Sequence, residues 1–135
     1  MSISTARIAA VAATGLAGVA AFQIALALGA PLGRAAWGGT YTQLPVELRI
    51  GSAISAAFLV LAALVVLGRG GFRAGNGPSG LYRWGTWALV SLLGLSALAN
   101  FASASRWENF LMGPIALALS ILTLLVALGP ARVST

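Results

Sequence analysis

Apolar residues run along this chain in four long blocks, separated by connections rich in glycine, proline and arginine. The blocks extend from Ile8 to Leu28, Ile50 to Leu67, Trp84 to Phe101 and Phe110 to Leu128, and none contains a charged residue. A helix rises about 1.5 Å per residue, so about 20 apolar residues cross the roughly 30 Å of hydrocarbon in a bilayer. Leu- and Ala-rich runs of this length satisfy their backbone polar groups in lipid only by coiling, whereas barrel strands are shorter and alternate. The pattern predicts an all-α transmembrane four-helix bundle, a single membrane domain over residues 1–135.

Composition agrees with this reading and removes most chemistry. Apolar residues make up 59% of the chain and charged residues 7%, outside the range of ordinary soluble domains. There is no Cys or His to hold zinc, copper, haem iron or an iron–sulfur cluster, and the two acids, Glu47 and Glu108, lie far apart in sequence. No metal or cofactor is therefore expected. The same absence removes any disulfide and any Ser-His-Asp or Cys-His arrangement, which argues against catalysis of the usual nucleophilic kind.

The net charge of +6 comes from eight basic residues, all arginine. They are scattered singly rather than gathered in a phosphate-tracking stripe, so nucleic acid is not an expected partner. They read better as topology signals. With four spans, the termini and the middle loop share a side with Arg7, Arg69, Arg73, Arg83 and Arg132, against Arg34, Arg49 and Arg106 on the other. That excess predicts a multi-pass protein of the inner membrane with cytoplasmic termini. The Gly- and Arg-rich stretch over about 68–80 reads as a flexible cytoplasmic loop. Arg7 before the first block, and Ala25-Leu26-Ala27 near its end, resemble a signal peptide. The uncharged run from Ile8 to Gly33 far exceeds the roughly 7–15 residues of such a signal, so the block is expected to stay as a span.

The two halves also read as tandem helical hairpins. Arg34, Trp37, Glu47 and Gly51 recur in order as Arg106, Trp107, Glu108 and Gly113, although the spacings differ and chance is a rival explanation. The connection from Gly29 to Arg49 is the most informative stretch. Its glycines and prolines set turns, Trp37 and Tyr41 suit the headgroup layer, and the whole is expected to form a structured outer cap. Its Gly-Ala-Pro-x-Gly-x-x-x-Trp-Gly-Gly run, Gly29 to Gly39, resembles small four-helix membrane proteins of high-GC bacteria. The resemblance extends to Leu44-Pro45, Arg49 and Arg106-Trp107-Glu108 and implies a family rather than an activity. Abundant Ala and Gly, with Arg in place of Lys, fit such a coding bias.

Candidate ligand-binding residues gather at the outer ends of the spans: Gln23, Arg34, Trp37, Glu47, Arg49, Asn100, Arg106 and Glu108. One reading makes them a polar site, with Arg gripping an anionic group and Glu accepting a proton. The other pairs Glu47 with Arg106, or Arg49 with Glu108, as ion pairs that clasp the hairpins, and uses Gln23 and Asn100 to bridge helices. Small residues at Gly15 with Gly18, Gly51 with Ser55, and Ser91 with Gly94 are expected to let helices approach. Tyr82, Arg83, Trp84 and Trp87 read as an interfacial anchor, and Gly113-Pro114 as the start of the fourth helix.

Three function classes compete on these residues. A non-catalytic module that binds a lipid or small ligand, or serves as an accessory subunit of a larger membrane complex or a homo-oligomer, is favoured by the missing chemistry. A four-helix transporter of small-multidrug-resistance size would need Glu47 or Glu108 as its coupling residue, because the first span holds no acid. A membrane enzyme acting on lipid would have to work with a glutamate alone.

Overall fold

The structure, a computed structural model, describes residues 4–72 and 79–129. Four helices form: α1 (Thr5–Ala27), α2 (Val46–Arg69), α3 (Ser79–Phe101) and α4 (Gly113–Leu128). All four spans are long and apolar enough to cross a membrane, the fourth counted from Glu108 to Leu128. α1, α2 and α3 extend beyond their uncharged blocks, so that Arg7, Glu47, Arg49, Arg69 and Arg83 lie inside helices. The apolar block marks what hydrocarbon demands, while backbone hydrogen bonding carries on into the headgroup layer. The flexible loop expected over 68–80 is accordingly shorter, since α2 runs through Arg69 and α3 starts at Ser79; its centre, 73–78, lies outside the described residues.

Helix starts follow local chemistry. The Ser4 side chain caps α1 by accepting from Arg7 N at 3.3 Å. Pro45 precedes α2 in extended backbone, and Glu47 occupies the first turn, where a negative charge suits the helix dipole. Gly113-Pro114 opens α4 with the proline in its first turn, as expected, but helical backbone begins before it. Helical backbone starts at Arg106 and passes through a π turn, Glu108–Met112, in which Gly113 N donates to Glu108 O. Proline has no N–H for the carbonyl one turn back, and the widened turn just before it accommodates that loss.

The helices pair as two hairpins, α1 on α2 and α3 on α4, with α1 also against α4. Small side chains make the core: Ala9, Ala12, Ala13, Ala62 and Ala63 surround Leu16, Val66, Leu119 and Val126. Gly15 brings α1 close to α4, because a Cβ there would stand 2.5 Å from Leu119 Cδ2. Gly18 has nothing within 4 Å and does not share this role. Gly94 faces Ser120, whose hydroxyl donates to Val90 O at 3.0 Å and ties α4 to α3, whereas Ser91 is exposed. Large apolar residues such as Leu95, Leu98 and Leu61 lie open on the outer faces. In water they would be a liability, and in lipid they are the natural solvent contact.

At the end remote from the cap, Tyr82 lays its ring where Gly68 has no side chain, so this tyrosine is a packing residue rather than an interfacial anchor. Trp84 is exposed beneath the Arg83 guanidinium, 5.2 Å from the ring centroid, as an anchor would be. Arg69 donates to Ala127 O at 3.2 Å and Gly129 O at 2.8 Å, covering carbonyls that the end of α4 leaves without helical partners.

Candidate functional site: a cavity beneath the cap

The chain between α1 and α2 folds back over the bundle in two short turns, Gly33–Ala35 and Trp37–Gly39. Leu26, Ala36 and Leu44 bury together under it, with Phe22 and Leu48 alongside. Arg34 straps the cap, donating from Nε to Thr42 Oγ1 at 3.1 Å and from a terminal nitrogen to Gly39 O at 2.9 Å. Three consecutive residues, Trp37, Gly38 and Gly39, have positive φ of 52°, 81° and 76°. Two of them are glycine, which adopts this conformation without penalty; Trp37 is held there by its contacts. Its indole N–H donates to Ser52 Oγ at 3.0 Å, and its ring rests on Gly51. Gly51 therefore receives a tryptophan rather than a helix.

Glu108 locks this cap to the second hairpin. Its Oε1 accepts from Gly38 N at 2.7 Å and from Ser103 Oγ at 2.9 Å, and Ser103 Oγ in turn accepts from Ser105 N at 3.1 Å. The Ser105 hydroxyl donates to Arg34 O and accepts from Glu108 N. Ser105-Arg106-Trp107-Glu108 has the Ser-x-x-Glu spacing of a capping box, a signal in the sequence for these two residues that was not among the expectations above. The box is half used: serine caps the helix, while the glutamate reaches across to the cap.

Below this roof lies a cavity of about 610 Å³. Its walls are apolar, with Leu16, Leu89 and Leu119 at depth and Phe58 and Leu92 toward the outside. α2 and α3 meet near the opposite end, at Gly68 against Tyr82 and Gly85 against Val65. Nearer the cap the lining residues Ile54, Phe58 and Leu92 are exposed, so the cavity opens sideways between α2 and α3. Polar groups cluster where Gln23, Trp37, Asn100 and Glu108 join the lining. Gln23 Oε1 is buried without a hydrogen-bond partner.

The eight candidates thus separate. Gln23, Trp37, Asn100 and Glu108 converge on the cavity. Arg34 is consumed by the cap, and Arg49 donates from Nε to Ala27 O at 2.9 Å while its guanidinium covers Gly29. Glu47 and Arg106 are exposed, and no side-chain partner holds either among the described residues. Neither expected ion pair forms: among the described residues no arginine lies within 4.0 Å of a glutamate oxygen. Backbone carbonyls at the helix ends and cap turns lie nearer to Arg34 and Arg49 than either carboxylate, and they take those guanidinium groups. Gln23 does not bridge helices, and Asn100 donates within its own helix to Ser96 O at 2.8 Å. Ser103, Ser105 and the mouth residues Phe58 and Leu92 were not singled out from sequence, because only the folded cap and the divergence of α2 from α3 give them a position. No family model, curated protein or solved structure matches this chain.

Proposed function

We propose that this integral membrane protein is a non-catalytic binding module that takes an amphipathic molecule sideways from the bilayer into the cavity between α2 and α3. The observation that carries the reading is the Gln23 amide oxygen, without a partner among the described residues, in a largely apolar chamber open to the lipid side. A buried amide without a partner costs on the order of 1–3 kcal/mol, a cost that a ligand's polar end would remove. A volume of about 610 Å³ falls within the usual range for small-ligand sites. The arginine distribution supports an inner-membrane location with cytoplasmic termini, which puts the cap on the outer side. Membership of the four-helix group of high-GC bacteria that the cap motif resembles fits the same picture. A transport reading would have to run through Glu108, since Glu47 lies outside the cavity.

Purification into lipid nanodiscs, followed by extraction and mass spectrometry of retained small molecules, tests the reading. Wild type is expected to carry an amphipath that Leu92→Trp loses. Leu92 is half exposed at the mouth, so the larger ring blocks entry without disturbing the core. Equal retention by both proteins would overturn the proposal.

A further inference from the structure

The cavity is charged in one way only. Among the described residues Glu108 is the one ionisable group in its lining, and it is 9% exposed. Oε1 is occupied by Gly38 N and Ser103 Oγ, and Oε2 accepts no hydrogen bond from any described residue. The arginines that might neutralise it are turned elsewhere, Arg34 into the cap and Arg49 onto Ala27 O. This leaves one carboxylate oxygen with no cation within 4.0 Å among the described residues, and a ligand bearing positive charge would pair with it.

Most hydrogen-bond donors in the lining are already engaged. The donors of Ser55, Asn100 and Trp37 are engaged by Gly51 O, Ser96 O and Ser52 Oγ. Among the described residues the acceptors Gln23 Oε1, Glu108 Oε2 and Asn100 Oδ1 remain open, alongside two donor groups, the Gln23 amide nitrogen and the Ser96 hydroxyl. The aromatic rings of Phe22, Trp37 and Phe58 complete a lining suited to a cation.

We propose that the ligand is a protonated amine on an apolar chain, its ammonium held by Glu108 and Gln23 and its tail in the Leu16–Leu119 end of the cavity. This rests on the binding reading above and specifies its chemistry. An anionic head would meet the Glu108 charge with no arginine within 4.0 Å of it among the described residues, and an alcohol would serve Gln23 while leaving the carboxylate unpaired. The chain's net charge of +6 opposes any general attraction of cations, so a preference for amines would have to arise in the cavity.

The test uses the full chain in nanodiscs of phosphatidylcholine, which has no net charge, with dodecylamine, dodecanol and dodecanoate as probes at neutral pH. Native mass spectrometry reads the bound fraction of each. Dodecylamine is expected to bind about tenfold or more tightly than dodecanol, the gain of a charge-assisted contact, with dodecanoate weakest. Glu108→Gln keeps a carbonyl oxygen for Gly38 N–H and Ser103, and it is expected to lose the amine preference while still binding dodecanol. Leu92→Trp is expected to weaken dodecylamine and dodecanol alike. Equal wild-type affinity for amine and alcohol, or an amine preference that survives Glu108→Gln, overturns the cation inference and leaves the cavity reading intact. Failure of wild type to retain any of the three probes overturns both. The wild-type ranking decides the matter even should Glu108→Gln fail to fold.

Discussion

Gly33→Ala is expected to destabilise the protein by about 1–3 kcal/mol and to expose the cap to proteolysis. Gly33 is buried, and its N–H donates to Thr42 O at 2.8 Å. A methyl group there would land on the Tyr41 carbonyl, with Thr42 O at 2.9 Å and Leu44 Cδ2 at 3.0 Å. Most of these atoms are backbone, and the Arg34 strap to Thr42 and Gly39 prevents the two arms of the cap from separating. The collision is relieved only by opening the cap. Gly18→Ala is the control, since nothing lies within 4 Å of that position and alanine favours a helix. Thermal unfolding in detergent, with limited proteolysis of residues 29–45, separates the two. Equal behaviour of both variants would mean that the cap is not rigidly held.

The two glutamates should differ sharply in what their loss costs. Glu108→Ala leaves the Gly38 N–H and the Ser103 hydroxyl without their acceptor, a buried carboxylate. Losing one partner of a buried hydrogen bond costs about 1–3 kcal/mol, and more where the partner is charged. The cap would then be held to the second hairpin chiefly by Ser105 against Arg34 O. Glu47→Ala removes an exposed side chain that no side-chain partner holds, so its effect should stay within about 0.5 kcal/mol. Unfolding midpoints of the two variants decide this. A large loss in Glu47→Ala, or none in Glu108→Ala, would contradict the arrangement described here.

The contrast between these acids shows where reading the chain stops. Both follow an arginine- and tryptophan-bearing connection and both stand near a helix start, so as sequence they look equivalent. In the fold one is exposed and the other is a buried latch. Arg49 and Arg106 show the same limit: both looked like partners for a glutamate, but Arg49 turns to a carbonyl at the end of α1, and no side-chain partner holds Arg106 among the described residues. A guanidinium takes the acceptor that the fold brings nearest, and backbone carbonyls carry no mark in the sequence. Two features of the fold are legible in the chain itself. The Ser105-x-x-Glu108 spacing announces a helix start before Gly113, and the pairing of Gly38 with Gly39 announces a turn of positive φ.

The number of helices, their membrane-spanning length and the presence of a structured cap were determined by the chain alone. These follow from one-dimensional quantities: the length of each apolar run against bilayer thickness, and the glycines and prolines between runs. The cavity belongs to the tertiary structure. It exists because Gly68 and Gly85 let α2 and α3 touch at one end, while Trp37, seated on Gly51, roofs the space where they part. Which polar groups face that space depends on the rotation of each helix about its axis. In helices as uniformly apolar as these, that rotation is set by close packing of small side chains across the bundle, a property of pairs of helices and of no single run.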